Sequence, residues 1–115
     1  MRGQSIASLG LLLMAATSTV AWAETVSGEI VDTFCYATMG AKGASHKPCG
    51  IDCAKKGIPV GLLEQGTNKL YVLLPSKDKT ALPDDVINRM GETVTITGHA
   101  ETKGGSNFLT VESVK

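Results

Sequence analysis

The chain has 115 residues, with 11 Lys+Arg against 11 Asp+Glu, and it is 43% hydrophobic but only 4% aromatic. That length suits one domain. Charges scattered this evenly exclude the basic surface a nucleic-acid binder needs, and the scarcity of rings leaves Val, Ile and Leu to build the core. The only cysteines, Cys35, Cys49 and Cys53, fall in one short stretch.

The first 23 residues read as a secretory signal peptide. Met1-Arg2 is a positive start, Ile6 to Ala16 is an uncharged apolar run, and Ala21-Trp22-Ala23 places small residues where a signal peptidase reads them. The predicted cut lies between Ala23 and Glu24. It leaves residues 24–115 as a single domain with ten Lys+Arg and eleven Asp+Glu. The apolar run is shorter than the ~20 residues of a spanning helix. The mature protein is therefore expected in the periplasm or outside the cell, and not across a membrane.

Thr25 to Thr33 reads as the first strand, with Gly28 marking a bulge or bend. The segment from Cys35 to Cys53 follows. Pro48 suits a first helical turn, Lys55 and Lys56 the last, Gly57 the cap and Pro59 the stop, which predicts a helix from about Pro48 to Lys56. Leu62 to Gln65 and Lys69 to Leu74 flank Gly66-Thr67-Asn68 and form a hairpin ended by Pro75. A second short helix opens at Pro83, carries Asp84 and Asp85 in its first turn and stops at Gly91, with Leu82, Val86, Ile87 and Met90 on one buried face. Glu92 to Ala100 alternates as a fourth strand, Thr102 to Ser106 is a turn, and Asn107 to Val114 is the fifth strand.

The expected fold is all-β with short helices. It is a five-stranded barrel with a cysteine-bearing helix after the first strand and another helix between the third and fourth. The stretch Gly91-Glu92-Thr93-Val94-Thr95-Ile96-Thr97-Gly98, with the glycine turn after it, resembles the closing strands of small exported OB-fold proteins. This resemblance implies an architecture and no activity.

Chemistry concentrates between Thr33 and Cys53. On the predicted helix Cys49 and Cys53 are i and i+4, one turn apart on one face. His46 precedes the helix and can fold over its start, and Cys35, at the end of the first strand, can approach from the other side. Thiolate and imidazole donors suit Zn(II) or Cu(I), and Met39 would extend the set towards copper. The competing reading is a disulfide from Cys35 to Cys49 or to Cys53, with one thiol left free, as an oxidising compartment favours. A bond between Cys49 and Cys53 is poorly served by helix geometry. Asp32 is expected to be an exposed strand-end carboxylate, with a role orienting a metal ligand as the alternative. His99 is expected to be exposed and apart from the site.

Together with Val31 to Tyr36, Met39-Gly40, His46 to Cys49, Cys53 and Gly57 to Leu63, residues 28–63 resemble a recurrent type of small secreted bacterial protein, which implies that the segment works as one unit. No Ser-His-Asp set, phosphate loop or CxxC motif is present, so the expectation is a binding module and not an enzyme. The leading function is an exported metal-binding module for copper or zinc, using Cys35, His46, Cys49 and Cys53. The alternative is a metal-free accessory protein, its loop held by a disulfide, that docks on a larger periplasmic protein.

Overall fold

The computed structural model describes residues 3, 10 and 22–115. The signal-peptide reading therefore lies almost wholly outside the described residues. Five strands close into an OB-fold-like barrel: β1 (Glu24–Asp32), β2 (Val60–Glu64), β3 (Leu70–Pro75), β4 (Thr93–Lys103) and β5 (Ser106–Val114), in the spatial order β1-β2-β3-β5-β4. Among the described residues three α-helices decorate it: α1 (Thr33–Met39), α2 (Lys47–Lys55) and α3 (Asp84–Ile87). All neighbours are antiparallel except β3 and β5, which run parallel. That parallel pair needs a crossover, and residues 76–105, including α3 and β4, supply it.

β1 closes the barrel because it serves two partners. Its first half, Glu24 to Glu29, pairs with β4, and its second half, Gly28 to Asp32, pairs with β2. The two ladders overlap at Gly28 and Glu29, and a Cβ on Gly28 would lie 2.2 Å from the Leu63 carbonyl oxygen. Gly28 is thus the close backbone approach that lets the strand turn from one sheet half to the other. It is not a bulge, since both ladders run through it in register. The irregularity lies instead between Thr97 and Gly98 in the β4–β5 ladder.

The core is aliphatic. Ile30, Leu62, Ile96, Leu109 and Val86 have no exposed surface, and Met90 has 1%. In β4 the alternation holds: Val94 and Ile96 are buried while Thr95 and Thr97 are not. Val86 and Met90 are buried in the core as expected, but α3 ends at Ile87, short of Met90 and of Gly91, and Leu82 and Ile87 are only half-buried. Pro83 sits one residue earlier than predicted, at the N-cap of α3. The last turn is tighter than Thr102 to Ser106. Only Gly104 and Gly105 lie outside the strands, both with positive φ, which is the backbone of a two-residue hairpin.

Candidate metal centre

The strand-to-helix switch at Asp32 builds the site. The first strand was expected to run through Thr33 and to carry Cys35 at its end. Instead β1 stops at Asp32 and the chain turns into α1, so Cys35 lies in the first turn of a helix. Asp32 makes that turn. Its backbone is extended, and its Oδ1 accepts the Cys35 backbone N–H at 2.9 Å. This is an N-cap, a position that favours Asp because the side chain satisfies a donor the helix cannot. Gly40, in the left-handed region at φ 66°, ends the helix; its N–H donates to the Tyr36 carbonyl at 2.9 Å, and the Ala41 N–H donates to that of Cys35 at 3.2 Å. Thr33 fastens the start of α1 to the barrel, its N–H and Oγ1–H both donating to the Pro59 carbonyl.

The link to α2 is held just as locally. The Gly43 N–H donates to Glu29 Oε2 at 3.0 Å, and the Gly43 carbonyl lies so close to Gly91 that a Cβ there would sit 2.4 Å from its oxygen. A single 3-10 turn, Ala44–His46, leads into α2, with Pro48 in the first helical turn. The helix runs one residue earlier at each end than predicted, and Gly57, at φ 96°, follows its cap. Gly50 lets α2 lie flat on the barrel, because a Cβ there would come within 2.5 Å of the Met90 side chain. Ile51 and Ala54 pack against the core from the same helix.

These constraints bring the three cysteines together. The Sγ atoms of Cys35, Cys49 and Cys53 lie within 4.8 Å of one another, with Cys35 buried, Cys53 half-buried and Cys49 exposed. All three are free thiols, and no pair is joined. A second group overlaps the first: Asp32, Cys35 and His46 also present donor atoms within 4.8 Å of one another. Cys35 belongs to both, so His46 joins the cluster through Cys35 and not through the helix cysteines. Met39 closes α1 with its side chain 67% exposed.

Asp32 overturns one expectation outright. It is fully buried, not an exposed strand end. Besides the Cys35 N–H it meets His46, whose Nε2 lies 2.6 Å from Oδ2. An ionised carboxylate can only accept, so Nε2 carries a proton and donates it to Oδ2. Burial alone would raise the Asp32 pKa. The hydrogen bonds from the Cys35 backbone, His46 and the Cys35 thiol, with the His46 charge, outweigh burial and hold the carboxyl below its usual range. The same carboxylate works against the neighbouring thiol. Burial first, then the Asp32 hydrogen bond and charge, push Cys35 up to about 12, and burial followed by Asp32 and Cys49 raises Cys53. Both groups are thus thiols at neutral pH in the metal-free protein, and a cation would have to displace their protons.

His99 lies elsewhere, on β4. It is not merely exposed, since its Nε2 stands 2.9 Å from Glu112 Oε1 in a half-exposed pair. Among the described residues no helix is long and apolar enough to cross a membrane. The fold and site together define an OB-fold-like barrel carrying a three-cysteine cluster on two short helices after its first strand. Comparison with family models, curated proteins and solved structures found no match.

Two features of this site escaped sequence reasoning. One is α1, seven residues too short to show an apolar period, yet bracketed by an Asp N-cap and a Gly C-cap that signal it. The other is the burial of Asp32, for which the only hint was its place directly after the apolar pair Ile30-Val31.

Proposed function

We propose that this protein is an exported binding module that holds one soft metal ion, Cu(I) or Zn(II), through Cys35, Cys49 and Cys53, with His46 as the fourth donor. The observation that carries the reading is the convergence of three sulfurs within 4.8 Å on two different helices. Tetrahedral zinc–thiolate bonds of about 2.3 Å place sulfurs about 3.8 Å apart, so small side-chain rotations suffice to close the set. Soft sulfur donors select Cu(I) and zinc over hard cations.

His46 suits the fourth place because Asp32 fixes its ring and directs the proton to Nε2. This is the outer-shell arrangement that orients metal-binding histidines. The proposal does not depend on Met39. Nor does it involve catalysis: the donors would saturate a tetrahedral ion, as in closed sites that bind without reacting. Export sets the context, with the ion acquired and held in the periplasm for trafficking, sensing or bracing the segment.

The test is metal analysis and thiol counting on protein taken from the periplasm without exposure to air. One equivalent of metal and three reduced cysteines are expected. Cys35→Ser should abolish stoichiometric binding, and His46→Ala, which removes a direct donor, should weaken it by more than the about 10–100-fold typical of losing a residue that only orients a ligand. Unchanged metal content in both variants would overturn the assignment.

A further inference from the structure

The three cysteines share a position but differ in access. Cys49 is exposed, Cys53 is half-buried and Cys35 is buried, although their sulfurs lie within 4.8 Å. They also differ in attachment. Cys49 and Cys53 are one turn apart on α2, whereas Cys35 meets them from α1. We propose that the reduced, metal-free cluster reacts with small-molecule disulfides: Cys49 makes the first attack and Cys35 closes an internal Cys35–Cys49 bridge.

The step follows from ordinary thiol–disulfide exchange. The Cys49 sulfur, as thiolate, attacks one sulfur of the reagent. The reagent's S–S bond breaks, a mixed disulfide forms on Cys49, and one reagent thiolate leaves and takes up the proton that Cys49 released. Cys35, a thiol at neutral pH, then gives up its proton as it attacks the Cys49 sulfur, the mixed S–S bond breaks, and the second reagent thiolate departs and takes up that proton. Two protein thiols are oxidised by two electrons in total, and one reagent disulfide is reduced to two thiols.

Geometry selects the pair. Cys49 is the cysteine a reagent reaches first, because exchange requires access to the sulfur. Cys53 is a poor resolving group for Cys49, since i and i+4 of a regular helix hold their Cβ atoms about 5–6 Å apart, against about 3.5–4.5 Å in a disulfide. Cys35 lies on a different element and is free of that restriction. Cys53 is left as a thiol. Resting on the metal-binding reading, the bridge removes two of its donors, so the metal-bound and disulfide forms are mutually exclusive states of one site.

The experiment treats the reduced, metal-free protein with oxidised glutathione, alkylates the remaining thiols and maps the products by intact mass and peptide mass spectrometry. Two thiols should disappear with no glutathione retained, a Cys35–Cys49 cross-link should appear, and Cys53 should be alkylated. Cys53→Ser should form the same bridge, and Cys35→Ser should retain glutathione on Cys49. A cross-link containing Cys53, glutathione that persists on the unmodified protein, or three unreacted thiols would each overturn the inference.

A second arm loads the reduced protein with Zn(II) or Cu(I) before oxidation. Oxidation should slow roughly tenfold or more, because bound thiolates are withheld from exchange, and the bridged protein should take up no metal. Equal metal uptake by the bridged and reduced forms would overturn the exclusivity. If the reduced protein takes up no metal at all, the metal-binding reading fails, while the cross-link map still decides the disulfide chemistry.

Discussion

The barrel and the cysteine segment are stabilised by opposite means. The barrel buries branched aliphatic side chains from every strand, with Ile30, Leu62, Ile96 and Leu109 wholly inside, and its closed ladder leaves no open edge. Residues 33–57 bury little apart from Cys35 and Gly50. They hold their shape through caps, two close glycine contacts and the buried carboxylate of Asp32. A region kept in place by a few polar contacts opens more readily than one kept in place by a core. Such a region is well suited to accept a ligand, because ligand binding can supply the stability that its own packing lacks.

The largest effect should come from the barrel. Leu62→Ala removes a fully buried side chain, and urea denaturation should register a loss of about 2–5 kcal/mol. Because the segment is anchored on the barrel, the proposed metal uptake and strand protection should fall together. If uptake survived in a variant whose strands exchange freely, the segment would be an independent unit.

Next comes Asp32→Ala. It leaves the Cys35 N–H and the His46 ring without their acceptor, which should cost about 1–3 kcal/mol. Hydrogen exchange should separate it from the barrel variant: amides of α1 and α2 should lose protection while β4 and β5 keep theirs. Equal losses in both regions would abolish the distinction between them.

Asp32 also predicts an acid dependence. Its carboxyl titrates below the ordinary value of 3.8 in the folded protein. Its contribution is therefore complete above that unfolded value and is lost as pH falls through the lowered one. Comparing denaturation at pH 6 and pH 3 should show a steeper loss for the natural protein than for Asp32→Asn. Parallel losses would show that Asp32 does not couple the segment to pH.

The smallest effect should follow Lys56→Gln. The Lys56–Asp52 pair spans one turn of α2 at 3.0 Å with both side chains mostly in water. Such pairs contribute little to stability and are screened by salt, so denaturation midpoints should not move. A measurable shift would mean that the end of α2 is held by its surface charges and not by Ile51 and Ala54 beneath.

Much of this was legible in advance. The alternation through Val94 and Ile96, the turn at Gly104-Gly105 and the Pro–Gly punctuation around α2 and α3 are local signals, and each led to the right kind of element. The cysteine cluster was partly legible, because the spacing of Cys49 and Cys53 places them on one helix face wherever that helix sits. Errors gathered where a residue's role depends on distant partners. Gly28 reads as a bulge or a bend, and only the meeting of two ladders there decides between them. Asp32 reads as a surface charge until α1 and His46 enclose it.

Local sequence thus determined the strands, the hairpin turns, the α2 helix and the confinement of the thiols to a single segment, because propensity, capping and period act over a few neighbours. Tertiary structure alone decided the closed β1-β2-β3-β5-β4 order, the turn of the chain into α1 that carries Cys35 to the helix cysteines, and the burial of Asp32 against His46. Those features depend on contacts between residues distant in the chain, such as Gly91 on Gly43 and Gly50 on Met90, and no local pattern encodes which distant surfaces will meet.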